Sequence, residues 1–168
     1  MMQDQVDFIL AQWAEERPEM DAAAMGVVGR VSRLSRYLEQ HLQKHFAGFG
    51  LNRGEFDVLA ALLRSGKPYQ LTPTNLLEAM MLSSGAMTNR LDRLETAGLI
   101  ERISHPTDRR GVFVKLTAEG LDKISPIVIS HVANEQKLLS ALTTDEQRQL
   151  AQLLRKLLLS FGDQVEVD

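Results

Sequence analysis

Cysteine is missing altogether from the 168 residues, which excludes a disulfide framework, a Cys-based zinc site and thiol redox sensing. Any sensing must therefore work by non-covalent binding. Aromatic residues are scarce at 5%, and Trp13 is the only tryptophan. No apolar run approaches the roughly 20 residues of a membrane span, and the first residues are acidic, so neither a span nor a signal peptide nor a basic presequence is read. The expected compartment is the cytoplasm. Basic charge is not in excess either: 19 Lys and Arg against 22 Asp and Glu give a net charge of −3, which argues against an indiscriminate polyanion binder. Catalytic patterns are lacking too. There is no phosphate-binding glycine loop, and Ser83-Ser84-Gly85 lacks the preceding strand and flanking glycine of a nucleophile elbow. His41 and His45 lie one helical turn apart without the carboxylate or cysteine that completes a metal set, and His105 and His131 stand alone. No enzyme activity, cofactor or metal is expected.

What is present is a hydrophobic share of 44%, enough for one compact domain. Asp4 to about Arg17 reads as a short helix ending before Pro18. From about Asp21 to Phe46, Val27, Val31, Leu34, Leu38 and Leu42 recur at three- and four-residue steps and form one long apolar stripe. A stripe of that length calls for a partner helix. Asn52 caps a helix from Arg53 to Arg64, and Thr72-Pro73 opens another that carries Leu76, Leu77 and Met80. Ser83 or Ser84 caps the next, which runs to about Ala97 and stops at Gly98. Two short helices joined by a tight turn form a helix-turn-helix pattern.

After Gly98 the period becomes strand-like. Residues 99–103 and 112–116 read as a hairpin whose turn, His105 to Gly111, is basic at Arg109 and Arg110. Thr117 opens a long helix with Leu121, Ile124, Val128, Val132 and Leu139 on one stripe, and Pro126 predicts a kink in it. The last helix begins at Thr144 and carries Leu150, Leu153, Leu154, Leu157, Leu158 and Phe161. The expected fold is mainly α with a small β-hairpin wing. Residues 1–50 supply N-terminal helices, 51–116 the winged helix-turn-helix, and 117–168 C-terminal helices, all within one compact chain.

Helical phase assigns faces. At about 100° per residue, Met87, Leu91 and Leu94 face the core, whereas Gly85, Thr88, Asn89 and Asp92 point away, with Arg93 toward the exposed side. Such a face of small, hydrogen-bonding residues and an arginine can enter a DNA major groove, and a solvated surface helix has the same pattern. The arginine-tipped wing suits a narrow minor groove; a plain charged turn is the alternative, and Asp108 could cap that turn or hold one arginine. Three further residues break local rules. Trp13 stands on an acidic helix, Asp57 interrupts the apolar run from Phe56 to Leu63, and Arg90 lies at the edge of the buried stripe. If they converge, an indole, a carboxylate and a guanidinium make a pocket for a flat anionic heterocycle. Otherwise Trp13 anchors the core, Asp57 pairs with Arg53 or Arg64, and Arg90 caps a carbonyl or meets Glu95.

The run from Leu82 to Glu95, then Gly98-Leu99-Ile100, then Asp108-x-Arg110-x-x-x-Val114-x-Leu116-Thr117, resembles the multiple-antibiotic-resistance regulator (MarR) family. The resemblance covers essentially the whole chain. It implies a cytoplasmic homodimer, joined through N- and C-terminal helices, that binds double-stranded DNA as a transcription regulator. DNA contacts are then expected from Ser83, Ser84, Gly85, Ala86, Thr88, Asn89 and Arg93, and from Asp108, Arg109 and Arg110 in the wing, with Arg110 in the minor groove and Asp108 supporting it. The stretch Trp13 to Asp21, with Asp57, Arg90 and Arg102, is similar to the urate-responsive subgroup. That similarity implies an effector site at Trp13, Asp57, Arg90 and Arg102, and a repressor released from DNA by urate or a related purine. Two alternatives stay open: a protein-interaction module that keeps the fold without using DNA, and a regulator that responds to a phenolic ligand.

Overall fold

A computed structural model of the chain describes residues 2–80, 87–104 and 111–164. Seven helices and three strands follow one another among them: α1 (Gln5–Glu16), α2 (Ala23–Ala47), α3 (Arg53–Arg64), β1 (Gln70–Leu71), α4 (Pro73–Met80), α5 (Met87–Thr96), β2 (Ile100–Ser104), β3 (Val112–Leu116), α6 (Ala118–Leu138) and α7 (Thr144–Ser160). Helix starts follow side-chain capping. Asp4, Asn52 and Thr143 each form a reciprocal capping box with the acid three residues on, and the Thr117 hydroxyl accepts from the Gly120 amide. Helix α6 runs on through Pro126.

The hairpin is β2 paired antiparallel with β3, Glu101 opposite Lys115, and those two side chains form an ion pair at 3.3 Å. The structure adds a strand that the sequence reading lacks. β1 pairs with the other edge of β3 through Gln70 and Leu71, so the sheet order is β1-β3-β2. Two residues are too few to display alternation, and only the partner strand defines them.

The core lies under α3. Val58, Leu59 and Leu62 of α3 are fully buried with Leu76 of α4, Leu94 of α5, Ile100 and Val114 of the sheet, and Ile124 of α6. Each such side chain contributes about 1.5–3 kcal/mol of burial free energy. This cluster seats α5 and the β2–β3 hairpin on one scaffold.

The two ends of the chain are different. Val27, Val31 and Leu34 of the α2 stripe remain 45–56% exposed, and α7 buries no residue at all within the chain. An apolar groove lined by Val27, Val31, Leu34, Leu38, Leu150 and Leu154 separates these faces. At the N-terminal end α1 lies on α2, where Arg30 holds Asp4 at 2.8 Å and Asp7 at 2.5 Å. Hydrogen bonds from the Asp7 amide and from Arg30 hold the Asp4 carboxyl below its ordinary range.

Candidate functional site

Helix α5 has the phase expected of it. Met87, Leu91 and Leu94 are buried, whereas Thr88, Asn89, Asp92 and Arg93 are exposed. Ser83, Ser84, Gly85, Ala86, Asp108, Arg109 and Arg110 lie outside the described residues. The two acids on α5 that would repel phosphate are engaged from the hairpin. Arg102 on β2 pairs with Asp92 at 2.6 Å and with Glu95. Its backbone amide also donates to Glu95 Oε1 at 3.3 Å. The hydrogen bond with Asp92 and the neighbouring Glu95 raise the Arg102 pKa further. One arginine thus ties the wing to α5 and offsets both charges.

On its other flank α5 is held by the first turn of α3. Arg93 Nε lies 3.0 Å from Oε1 of Glu55, which is the one charged residue among the buried described residues, at 5% exposure. Glu55 Oε2 accepts from the Asn52 amide at 2.9 Å. The Arg90 guanidinium packs against Gly54; a Cβ there would overlap Arg90 Nε and lie 2.5 Å from Cζ. Glycine is needed at this position for that close approach. Among the described residues Arg90 Nη1 is buried without a hydrogen-bond partner, a state that a buried guanidinium rarely keeps.

Asp57, one turn along α3 from Gly54, is in the field of this arginine. Burial pushes its carboxyl above the ordinary aspartate value, against the opposing pull of Arg53, Arg90, His131 and Arg64. Arg53 is also its i,i+4 partner at 3.9 Å. His131 is not isolated, as its sequence context suggested. Its ring packs on Phe46 and Phe56 at centroid distances of 5.1 and 4.8 Å, with His45 at 6.3 Å, because the crossing of α6 over α2 and α3 brings them together. Burial lowers the His45 pKa. Among the described residues no group of three or more metal-ligating side chains forms a metal site.

The four expected effector residues are therefore placed in three settings. Asp57 feels the charge of Arg90 but pairs with Arg53 instead. Arg102 is committed to Asp92 and Glu95, and Trp13 remains 38% exposed on α1, which packs chiefly on α2. Gly54 and Glu55 were missed by the sequence reading. The pattern Asn52-x-x-Glu55 was a usable signal for the second, since a capping box names its own N3 residue.

The raised pKa of Asp57 carries a prediction. A carboxyl whose folded pKa is raised supports the fold fully below its unfolded pKa, and that support is lost as pH rises through the folded value. Ionised Asp57 therefore costs stability at neutral pH. Asp57→Asn is expected to unfold at a higher temperature than the unsubstituted protein at pH 7, with the difference closing below about pH 4. Equal midpoints at pH 7 would contradict it.

Comparisons with known proteins decide the family. The MarR family profile matches residues 49–111. The HTH-type transcriptional regulator PecS of Dickeya dadantii is 41% identical over 150 residues, 89% of this chain and 90% of PecS. The chain belongs to the MarR family. The multiple antibiotic resistance protein MarR of Escherichia coli K12 is 32% identical over 120 residues, covering 70% of this chain and 80% of MarR. A mutant of E. coli MarR solved in complex with operator DNA superposes with a TM-score of 0.69 at 27% identity, over 87% of this chain and 97% of that one. AbsC of Streptomyces coelicolor, at 23% identity and a TM-score of 0.77 over 86% of this chain and 98% of its own, shares the MarR fold. These relatives are transcription regulators, not enzymes, and dimerisation is typical of MarR proteins. Among the described residues no helix is long and apolar enough to cross a membrane.

Proposed function

We propose that two copies of this chain bind duplex DNA with α5 and the wing of each, and that a planar anionic ligand, urate or a related purine, engages Arg90 and Asp57 and releases the DNA. The chain is then a repressor whose operator is freed by its effector. The observation that carries the ligand half is Arg90 itself. Its Nη1 is buried without a partner among the described residues, within the field of a carboxylate whose ionisation burial opposes, and perturbed groups of this kind mark binding sites. A planar anion would accept from the guanidinium, while a ring N–H could donate to Asp57.

Position supplies the coupling. Arg90 shares α5 with Thr88, Asn89 and Arg93, so a ligand that draws it off Gly54 changes how α5 sits on α3. The reading helices of a dimer must lie about 34–36 Å apart to match successive major grooves. A ligand that favours another spacing lowers DNA affinity by its preference between the two states. Trp13 and Arg102 belong to this reading by resemblance alone.

The test is thermal unfolding and duplex competition with urate, with a phenolic acid as the comparison ligand. Urate at 100 times its Kd should stabilise the native state by about 2.7 kcal/mol and weaken DNA binding. Arg90→Ala should abolish both effects. Gly54→Ala should displace Arg90, whose Nε an added Cβ would overlap, and blunt the response. If urate changes neither the midpoint nor duplex affinity, the ligand assignment fails. A response to the phenolic acid alone would move the site to the other ligand class.

A further inference from the structure

Glu55 is an expensive residue to bury. A carboxylate at 5% exposure on an apolar face needs its charge offset. The local offsets are the Asn52 amide at 2.9 Å and the first turn of α3, where the helix dipole favours an anion. A helix-capping role uses only one of the two oxygens. The other, Oε1, is spent on Arg93 of α5 at 3.0 Å.

Arg93 differs from its partner. Its side chain is 66% exposed, and among the described residues Glu55 is its only ionic or hydrogen-bonding partner. The nearest approach is at Nε, as an ion pair. A guanidinium has five N–H donors in a fixed planar fork, and among the described residues none of those of Arg93 makes a hydrogen bond, so its Nη1 and Nη2 edge is open. That edge matches two oxygens of a phosphate. The anchor also limits reach. Arg93 follows Asn89 by one turn on the exposed face, and the pairing with Glu55 draws its guanidinium toward the first turn of α3.

From these contacts we infer that Glu55 is a positioning residue for DNA binding: it holds Arg93 so that the open edge of its guanidinium clamps a backbone phosphate beside the groove that α5 enters, and Arg93 reads no base. This rests on the proposed DNA-binding role of α5. It narrows the expected DNA contact of Arg93 to one that sets register and carries no sequence information. It also explains why an acid is tolerated beneath a surface meant for a polyanion. Paired, Glu55 adds order to the arginine; unpaired, it would repel the phosphate.

The probe is the tightest duplex that the unsubstituted protein recovers from a random-sequence pool, titrated with salt. Arg93→Ala should weaken binding to every duplex by a similar factor, keep the base preferences unchanged, and reduce the slope of log affinity against log salt by about one. Arg93→Lys should restore the slope but not the full affinity, since an ammonium presents no fork. Glu55→Gln keeps a capping-box residue at N3 and breaks only the ion pair. It should lower affinity about tenfold with the slope unchanged. The double variant Glu55→Gln/Arg93→Ala should be no weaker than Arg93→Ala alone, because positioning has nothing left to act on. Relaxed preference at one base position in Arg93→Ala with an unchanged slope would make Arg93 a base reader and overturn the inference. Additive losses in the double variant, or full affinity in Glu55→Gln, would also overturn it. If the unsubstituted protein recovered no duplex, the DNA-binding reading itself would fail, a result distinct from any of these.

Discussion

Gly120→Ala is expected to lower the thermal unfolding midpoint by roughly 6–12 °C, which corresponds to about 3 kcal/mol for a chain of this size. The added Cβ would fall on the Leu99 carbonyl oxygen and lie 2.9 Å from the carbonyl carbon. Both are backbone atoms, so no side-chain rotation relieves the overlap. The same carbonyl accepts the Thr117 amide at 3.1 Å, and the Thr117 hydroxyl donates to the Gly98 carbonyl at 2.7 Å while accepting from the Gly120 amide at 2.9 Å. This knot joins the start of α6 to the start of β2, so displacing it moves the wing relative to α5 as well as loosening the core. Gly26→Ala is the matched control. Its Cβ would meet only side-chain atoms, Leu10 Cδ1 at 3.2 Å and Arg30 Nη1 at 3.3 Å, which can shift. A midpoint for Gly120→Ala within a degree or two of the control's, measured by circular dichroism, would show that α6 can slide on β2 at little cost.

Leu153→Glu combined with Leu157→Glu is expected to convert a dimer into a monomer at micromolar concentration and to cut DNA affinity by about a hundredfold or more. Leu153 and Leu157 are 63% and 46% exposed, one turn apart on a helix with no fully buried residue. Leu158 at 51% and Phe161 at 85% extend the same apolar surface. A single chain that leaves so much of α7 and of the α2 stripe uncovered exceeds the isolated apolar residues normal on a monomer surface. Two glutamates placed in that surface would have to be buried without partners if the dimer persisted. Loss of the dimer then removes simultaneous engagement of two half-sites, although each chain keeps its own α5 and wing. Light scattering reports the mass and an equilibrium titration the affinity. A double variant that stays dimeric would place the subunit contact elsewhere.

How much of this was legible beforehand follows from the kind of information each feature needs. Helices α2, α3, α5 and α7 were readable because their apolar spacing is a local property, as is the Asn52 cap of α3, and the inward phase of Met87, Leu91 and Leu94 followed from arithmetic alone. β1 was not readable, since Gln70 and Leu71 become a strand only by pairing with Lys115 and Val114. Arg102 was grouped with Arg90 by resemblance, yet its acids are on α5; a sequence cannot say which of several nearby carboxylates captures an arginine. His131 stands alone in the sequence because its neighbours Phe46, Phe56 and His45 lie on α2 and α3, more than seventy residues away in the chain. Glu55 could be read as a cap, but its burial and its hold on Arg93 are facts of helix crossing. Asp57 and Arg90 were flagged for the opposite reason: each violates the apolar pattern around it, and departures of that kind concentrate at functional sites.

The most direct test is to offer the unsubstituted chain a random-sequence duplex pool at low salt, then titrate salt against the recovered duplexes. Two chains should bind each duplex, log affinity should fall linearly with log salt, and the recovered sequences should carry paired half-sites about one helical turn apart. A chain that retains no duplex even at low ionic strength would contradict the role assigned to α5 and the wing.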